Sequence, residues 1–420
     1  LVIAAFADIV ANTFNGFSKD GALITPNAAA ASISMLFIFV AILCGLFITK
    51  FKPNEKVRLV LGIILLIAML AVGIAFPIYL DRMIWLYVVF AYIFAASVMP
   101  MWILKQPRDY LSTFLLLAMI AGGVIGVLAV NPTINMPAFV GFNVNGKDLF
   151  PILFITIACG AVSGFHSLVS SGTSSKTISN EKDTLFVGYG SMLVESVLGV
   201  VSLVIVCSAA TNGQLPEGTP FQIFSTAVAG FFAMFGMPHD IANCILTMCV
   251  SALALTSLDA VARIGRMSFQ ELFSVDEGQE MSFVQKLCTN KYFATLITLF
   301  IGYLLCLGGY MNIWPLFGAA NQLLSALVLI SLAVFLKTTG RKGFMLYIPM
   351  VVMFCVTLTA LVEAVYSIVV KLSMGQFVFA VDGLQLIIAL ALMILAISVA
   401  VHCGRELAGA KDNSKAELNN

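Results

Sequence analysis

The sequence predicts an all-α polytopic membrane protein, and three observations carry that reading. Mean hydropathy is +1.03, with 60% hydrophobic and only 10% charged residues, a balance foreign to soluble globular domains. Apolar stretches of about 20 residues, the length that crosses a bilayer core, recur along the 420-residue chain. One of them stops behaving as a membrane helix partway along. Residues 158–176 hold three glycines, six serines, a threonine, a histidine and a lysine. An unpaired backbone group is costly in lipid, so a broken helix persists only where protein or a watery cavity satisfies it. Interruptions of that kind near the bilayer midplane are where secondary transporters bind their cargo.

From the N-terminus, Leu1-Val2-Ile3-Ala4-Ala5-Phe6 shows neither methionine nor the charged n-region of a signal peptide. The apolar stub 1–11 is too short to span and reads as the end of a helix in an N-terminally truncated chain. Eleven complete spans follow, at about 30–49, 57–76, 84–104, 111–130, 150–169, 185–208, 240–262, 292–309, 313–336, 344–370 and 382–403. The apolar segment 221–235, between Pro220 and Pro238, is too short to cross and reads as a re-entrant or capping helix. Charge distribution supports that choice. With 221–235 not crossing, only Lys19, Arg82, Lys147 and Lys371 of the 22 lysines and arginines fall on the outer side. If it crossed, the two sides would be nearly balanced. The positive-inside rule therefore places the C-terminus in the cytoplasm. The loop 263–291 is the longest on that side. The expected organisation is a transmembrane domain over 1–404 and a polar cytoplasmic tail over 405–420.

Composition narrows the partners. A net charge of +1 without a basic tract gives nucleic acid no footing, whereas the lipid bilayer is an obligatory partner. The nine cysteines are scattered singly and read as small buried hydrophobes rather than metal ligands or disulfide partners. No metal site and no organic cofactor is expected. No G-x-x-x-x-G-K-[ST] motif occurs, so the chain carries no ATP motor of its own.

The run Cys159–Lys176 resembles the signature of the carbon starvation protein (CstA) family of bacterial membrane proteins. Leu255-Thr256-Ser257-Leu258-Asp259 with Arg263 and Arg266, and Trp314-Pro315-Leu316-Phe317-Gly318-Ala319-Ala320-Asn321-Gln322-Leu323-Leu324, fit the same family. The resemblance implies cation-coupled uptake of peptides, or of small carboxylates such as pyruvate, across the inner membrane when carbon runs short. It also implies distant kinship with the amino acid–polyamine–cation superfamily and its leucine-transporter-like inverted-repeat bundle, the broken helix falling near 160–172. Family members carry upstream helices with a histidine- and glycine-rich break that this chain does not show.

On this reading Gly160, Ser163, Gly164, Phe165, His166 and Ser167 bind substrate. The glycines permit unusual backbone angles, and unwound amides or a half-helix N-terminus meet a carboxylate. Glu195 lies near mid-bilayer, where a carboxylate is costly and marks function; it and His166 are the proton-coupling candidates. Thr256 and Ser257 are adjacent hydroxyls, and in the related fold such a pair helps form a sodium site, so the coupling ion is H+ or Na+. Asp259 is expected to pair with Arg263 one turn on. Asn321 and Gln322 are amides that hold helices together or line a cavity. Asp8, in the stub, is a further intramembrane carboxylate. No catalytic residue is expected. The alternatives are a passive channel, and an intramembrane hydrolase using Ser163 or Ser170 with His166. Homo-oligomerisation stays open.

Overall fold

The computed structural model describes residues 1–18, 20–144, 147–275, 282–341 and 343–409. Lys19, positions 276–281 of the 263–291 loop, and the expected tail from residue 410 on lie outside the described residues. In chain order the helices are α1 (Val2–Thr13), α2 (Thr25–Phe51), α3 (Glu55–Ala75), α4 (Arg82–Val98) and α5 (Lys105–Val130). A hairpin of β1 (Asn143–Val144) and β2 (Lys147–Asp148) leads to α6 (Leu149–Ile157), α7 (Gly164–Val169) and the short α8 (Ser175–Thr177). Then come α9 (Ser191–Ala209), α10 (Pro220–Met234), α11 (His239–Leu272) and α12 (Phe283–Thr289). The last are α13 (Lys291–Cys306), α14 (Tyr310–Thr338), α15 (Phe344–Ser373) and α16 (Leu384–Gly409).

Among the described residues, nine helices are long and apolar enough to cross a membrane. They become ten if α12 and α13, bent by 72° at Asn290, count as one span. The stretch read as 84–104 is the exception. Its helix, α4, has only 17 residues, a rise of about 25 Å against a hydrocarbon core of about 30 Å. It stops because Met99 precedes Pro100, and the proline ring excludes helical backbone at that position; Met99 is extended, with ψ 150°. The short apolar segment after Pro220 is a 15-residue helix as expected, started by a capping box between Thr219 and Gln222.

The chain folds as two compact units. One comprises Val2–Ala138 and Val197–Cys306. Its axis is α11, which packs against α1, α2, α4, α5, α10 and α13. Ala242, Cys244, Ser251, Ala252, Ala254, Ala260 and Ala262 are buried along that helix, and small residues of this kind let membrane helices approach closely. Ile33, Phe37, Leu66, Leu111, Ile205, Val228 and Met248 form its core.

The other unit comprises Leu1, Phe139–Ser196 and the chain from Leu307 on. Here α14 is the hub, packed against α6, α7, α15 and α16, with Ile155, Leu316, Leu323, Leu361 and Ala389 in the core. This unit contains the interrupted span.

Candidate functional site

The 29-residue span Leu149–Thr177 is broken near its middle. Helix α6 ends at Ile157, a single 3-10 turn covers Ala158–Gly160, and Ser163 is extended (φ −122°, ψ 127°) before α7 begins at Gly164. A widened turn of i→i+5 type follows at Ser170–Ser174, a local form frequent at functional sites.

Two consecutive amides on α14 grip this break. Phe165 N–H donates to Asn321 Oδ1 at 2.7 Å, and Asn321 Nδ2 donates to Ser163 Oγ at 3.2 Å. With its amide turned so that both ends are satisfied, Gln322 donates to the Val162 carbonyl oxygen and accepts from Cys159 N–H at 3.0 Å. Polar groups that an intact helix would pair internally are thus met by side chains of a neighbour. Gly164 is required by the closeness of that neighbour: a Cβ there would collide with the Asn321 carbonyl oxygen and lie 2.5 Å from Leu324 Cβ. Among the described residues, the N–H groups of Ser163 and Gly164 meet no protein acceptor.

Beside the break lies a cavity of about 560 Å³, within the range of small-molecule sites. Gly160, Ser163, His166 and Ser167 line it, together with Ser170, Glu195 and Ser325. Glu195 sits halfway along the 29-residue span Glu181–Ala209, just after another widened turn at Phe186–Gly190. His166 Nδ1 is 3.7 Å from Glu195 Oε2, and a Cβ at Gly160 would sit 3.9 Å from Glu195 Oε1. The break, the imidazole and the carboxylate therefore share one cavity at mid-span. Gly164 and Phe165 do not line it. Gly164 is buried against α14, and the backbone amide of Phe165 is occupied by Asn321 rather than left for a substrate carboxylate. Ser163 Oγ faces Asn321 and Cys159, and among the described residues no serine hydroxyl bonds His166.

Thr256 and Ser257 belong to the other unit and have partners of their own. Thr256 Oγ1 accepts from Arg108 Nη2 at 2.9 Å and donates to the Ala252 carbonyl at 3.1 Å; Ser257 Oγ donates to the Leu253 carbonyl at 3.3 Å. The expected pair of Asp259 with Arg263 is not formed. Asp259 Oδ2 instead accepts from Arg108 Nη1 and from the Tyr92 hydroxyl, the latter at 2.7 Å. Arg263 Nη2 donates to the carbonyls of Ala96 and Met99 at 2.7 and 2.9 Å, satisfying the open end of α4. Arg108 is wholly buried. Counted by position, it reads as a loop charge, yet α5 begins at Lys105 and takes Pro107 within its first turn, where proline is tolerated. Asp8 is also buried and paired, with Arg82 Nη2 2.5 Å from its Oδ1. Among the described residues no group of three or more His, Cys, Asp and Glu side chains gathers to hold a metal.

The chain matches the family described as Carbon starvation protein CstA over residues 1–218 and 208–360. It is 34% identical over 336 residues to "Peptide transporter CstA" of Escherichia coli (strain K12), covering 64% of this chain and 48% of that protein. It is 30% identical over 396 residues to "Pyruvate/proton symporter BtsT" of the same organism, covering 69% of this chain and 53% of that protein. Against "Peptide transporter CstA" of Helicobacter pylori the identity is 31% over 395 residues, 76% of this chain and 56% of that protein. The chain thus spans about half the length of the curated relatives it matches, and those relatives are named as transporters rather than enzymes. No solved structure matches it. On the family match and these relatives together, this multi-pass chain belongs to the carbon starvation protein CstA family.

Proposed function

We propose that the chain carries part of a cation-coupled secondary transporter of the bacterial inner membrane, which takes up peptides or small carboxylates such as pyruvate when carbon is scarce. The observation that carries this reading is the mid-span cavity where a broken helix, His166 and Glu195 meet. Substrate is held there by Ser163, His166, Ser167 and the backbone around Gly160. Glu195 and His166, 3.7 Å apart, carry the coupling proton: binding it to one of them changes the charge the cavity presents to an anionic cargo. A relative named as a pyruvate/proton symporter fits this choice of ion. Sodium at Thr256 and Ser257 ranks second, since the Arg108 guanidinium already held by Thr256 Oγ1 repels another cation.

The order of elements supports a leucine-transporter-like arrangement: the broken span Leu149–Thr177, a following span, the short α10 and the long α11. The excess of Lys and Arg on one side supports a cytoplasmic C-terminus.

Uptake of labelled pyruvate and of a labelled dipeptide into proteoliposomes, with proton and sodium gradients imposed separately, tests the proposal. Accumulation of one cargo under the proton gradient is the expected result. Accumulation under sodium alone, lost in Thr256→Ala/Ser257→Ala, would move the coupling site to α11. Flux that dissipates gradients without accumulation would favour a channel.

A further inference from the structure

The turn between α2 and α3 gathers Lys50, Lys52, Lys56 and Arg58, with Glu55 as the acid among them. Behind it lies a second cavity, of about 200 Å³, whose lining includes Thr49, Arg58, Trp102, Gln106 and Tyr110. The lining combines a guanidinium, an amide, a hydroxyl and two amphipathic rings, a mixture unlike the apolar cores on either side. Arg58 is pinned in place because its Nε donates to the Pro53 carbonyl at 2.9 Å. Among the described residues its two Nη groups have no protein acceptor. A fixed guanidinium fork with free donors is matched to phosphate geometry.

The surroundings favour a lipid phosphate. The cavity lies where α2 ends and α5 begins, at the end of the membrane spans, and Trp102 beside it is half-exposed, as aromatic rings are at the headgroup level. The helices that wall it carry exposed apolar side chains running back along the span, Leu43, Phe47 and Phe51 on α2 and Val60, Ile63 and Ile64 on α3, a surface for acyl chains. Lys50 lies over the exposed Phe51 ring, its Nζ 5.6 Å from the centroid, directing its stem along that apolar face with the charge at the rim. Basic pockets between helices at one membrane face bind anionic headgroups.

We propose that this pocket is a binding site for the phosphodiester of an anionic phospholipid, held by the Arg58 guanidinium with the Gln106 amide, and flanked by Trp102 and Tyr110; the Thr49 hydroxyl, which donates to the Gly45 carbonyl at 2.8 Å, lines the wall. Its lining shares no residue with the cavity at the helix break.

The test reconstitutes the purified chain in nanodiscs of phosphatidylcholine with and without phosphatidylglycerol, and reads the melting temperature and the phosphatidylglycerol retained in native mass spectrometry. Phosphatidylglycerol should raise the melting temperature of the wild type, and Arg58→Ala should cancel that rise and weaken retention about fivefold, the effect of one basic group at a membrane surface. Gln106→Leu, which leaves the Arg58–Pro53 contact in place, should lower retention in the same direction and serves if Arg58→Ala does not fold. Arg341→Ala removes the same charge at an exposed position elsewhere and should retain the full effect. The proposal is overturned if Arg58→Ala and Gln106→Leu both keep the wild-type response, or if Arg341→Ala loses it equally, which would mean diffuse surface charge. It is also overturned if inorganic phosphate in pure phosphatidylcholine nanodiscs reproduces the shift, which would mark a site for the free anion.

Discussion

Asn321 Oδ1 accepts a hydrogen bond from Phe165 N–H at 2.7 Å, across 156 positions of sequence. The same side chain donates to Ser163 Oγ, so one amide on α14 holds both sides of the helix break. This contact fixes the backbone from which the cavity is lined, and its removal is the most direct structural perturbation. Asn321→Leu leaves the half-buried Phe165 N–H without its acceptor, a loss of up to about 1–3 kcal/mol. It should lower the melting temperature of the purified protein and abolish uptake. Asn321→Asp keeps an acceptor for Phe165 but loses the donor to Ser163, so it should fold better than the leucine variant while still impairing uptake.

The glycines of the chain offer a comparison between close packing and open space. A Cβ at Gly164 collides with α14, whereas one at Gly199, inside α9, meets nothing within 4 Å. Gly164→Ala should destabilise by about 1–3 kcal/mol, the usual cost of overpacking. Gly199→Ala should be neutral or stabilise by up to about 1 kcal/mol through helix propensity. Thermal unfolding in detergent distinguishes the two.

The position of the break was legible in the sequence, because glycine, serine, histidine and lysine inside an apolar run cannot all sit in an uninterrupted lipid-facing helix. The identity of its supports was legible only in kind. Asn321 and Gln322 read as amides that hold helices together, but no local spacing shows which helix they hold. The same limit explains Asp259. Helical periodicity offers Arg263 four residues on, while the guanidinium that reaches the carboxylate comes from Arg108, 151 positions earlier. Arg108 falls outside the span read as 111–130 because hydropathy bounds a span at its outermost apolar residues, whereas α5 starts six positions before Leu111. Pro107, one residue away and allowed in a first turn, is the local signal that could have moved that boundary.

The buried Arg108–Asp259–Tyr92 cluster leads to a stability prediction. Removing one member of a buried ion pair strands the other charge and costs about 3–5 kcal/mol, whereas replacing both by apolar residues of similar volume is often close to neutral. Arg108→Met and Asp259→Leu should each reduce the yield of folded protein and lower its melting temperature. The double variant should recover much of the loss. Equal or additive losses in the double variant would show that the two charges do not act as a pair. Double-variant analysis of detergent-solubilised protein provides the measurement.

His166 and Glu195 make the sharpest functional prediction, since both line the cavity and neither is needed to pack a core. His166→Gln should weaken gradient-driven uptake more than it lowers the melting temperature. A loss of stability equal to that of Asn321→Leu would instead assign the imidazole a structural role.

If Glu195 couples cargo to the proton gradient, as proposed above, Glu195→Gln separates coupling from transport. Two rates are compared in proteoliposomes: accumulation against a gradient, driven by an imposed pH difference, and exchange of labelled for unlabelled cargo with no gradient. The variant should keep exchange and lose accumulation, because the amide stands in for the protonated carboxyl and cannot release a proton. Undiminished proton-driven accumulation in Glu195→Gln would contradict that coupling role.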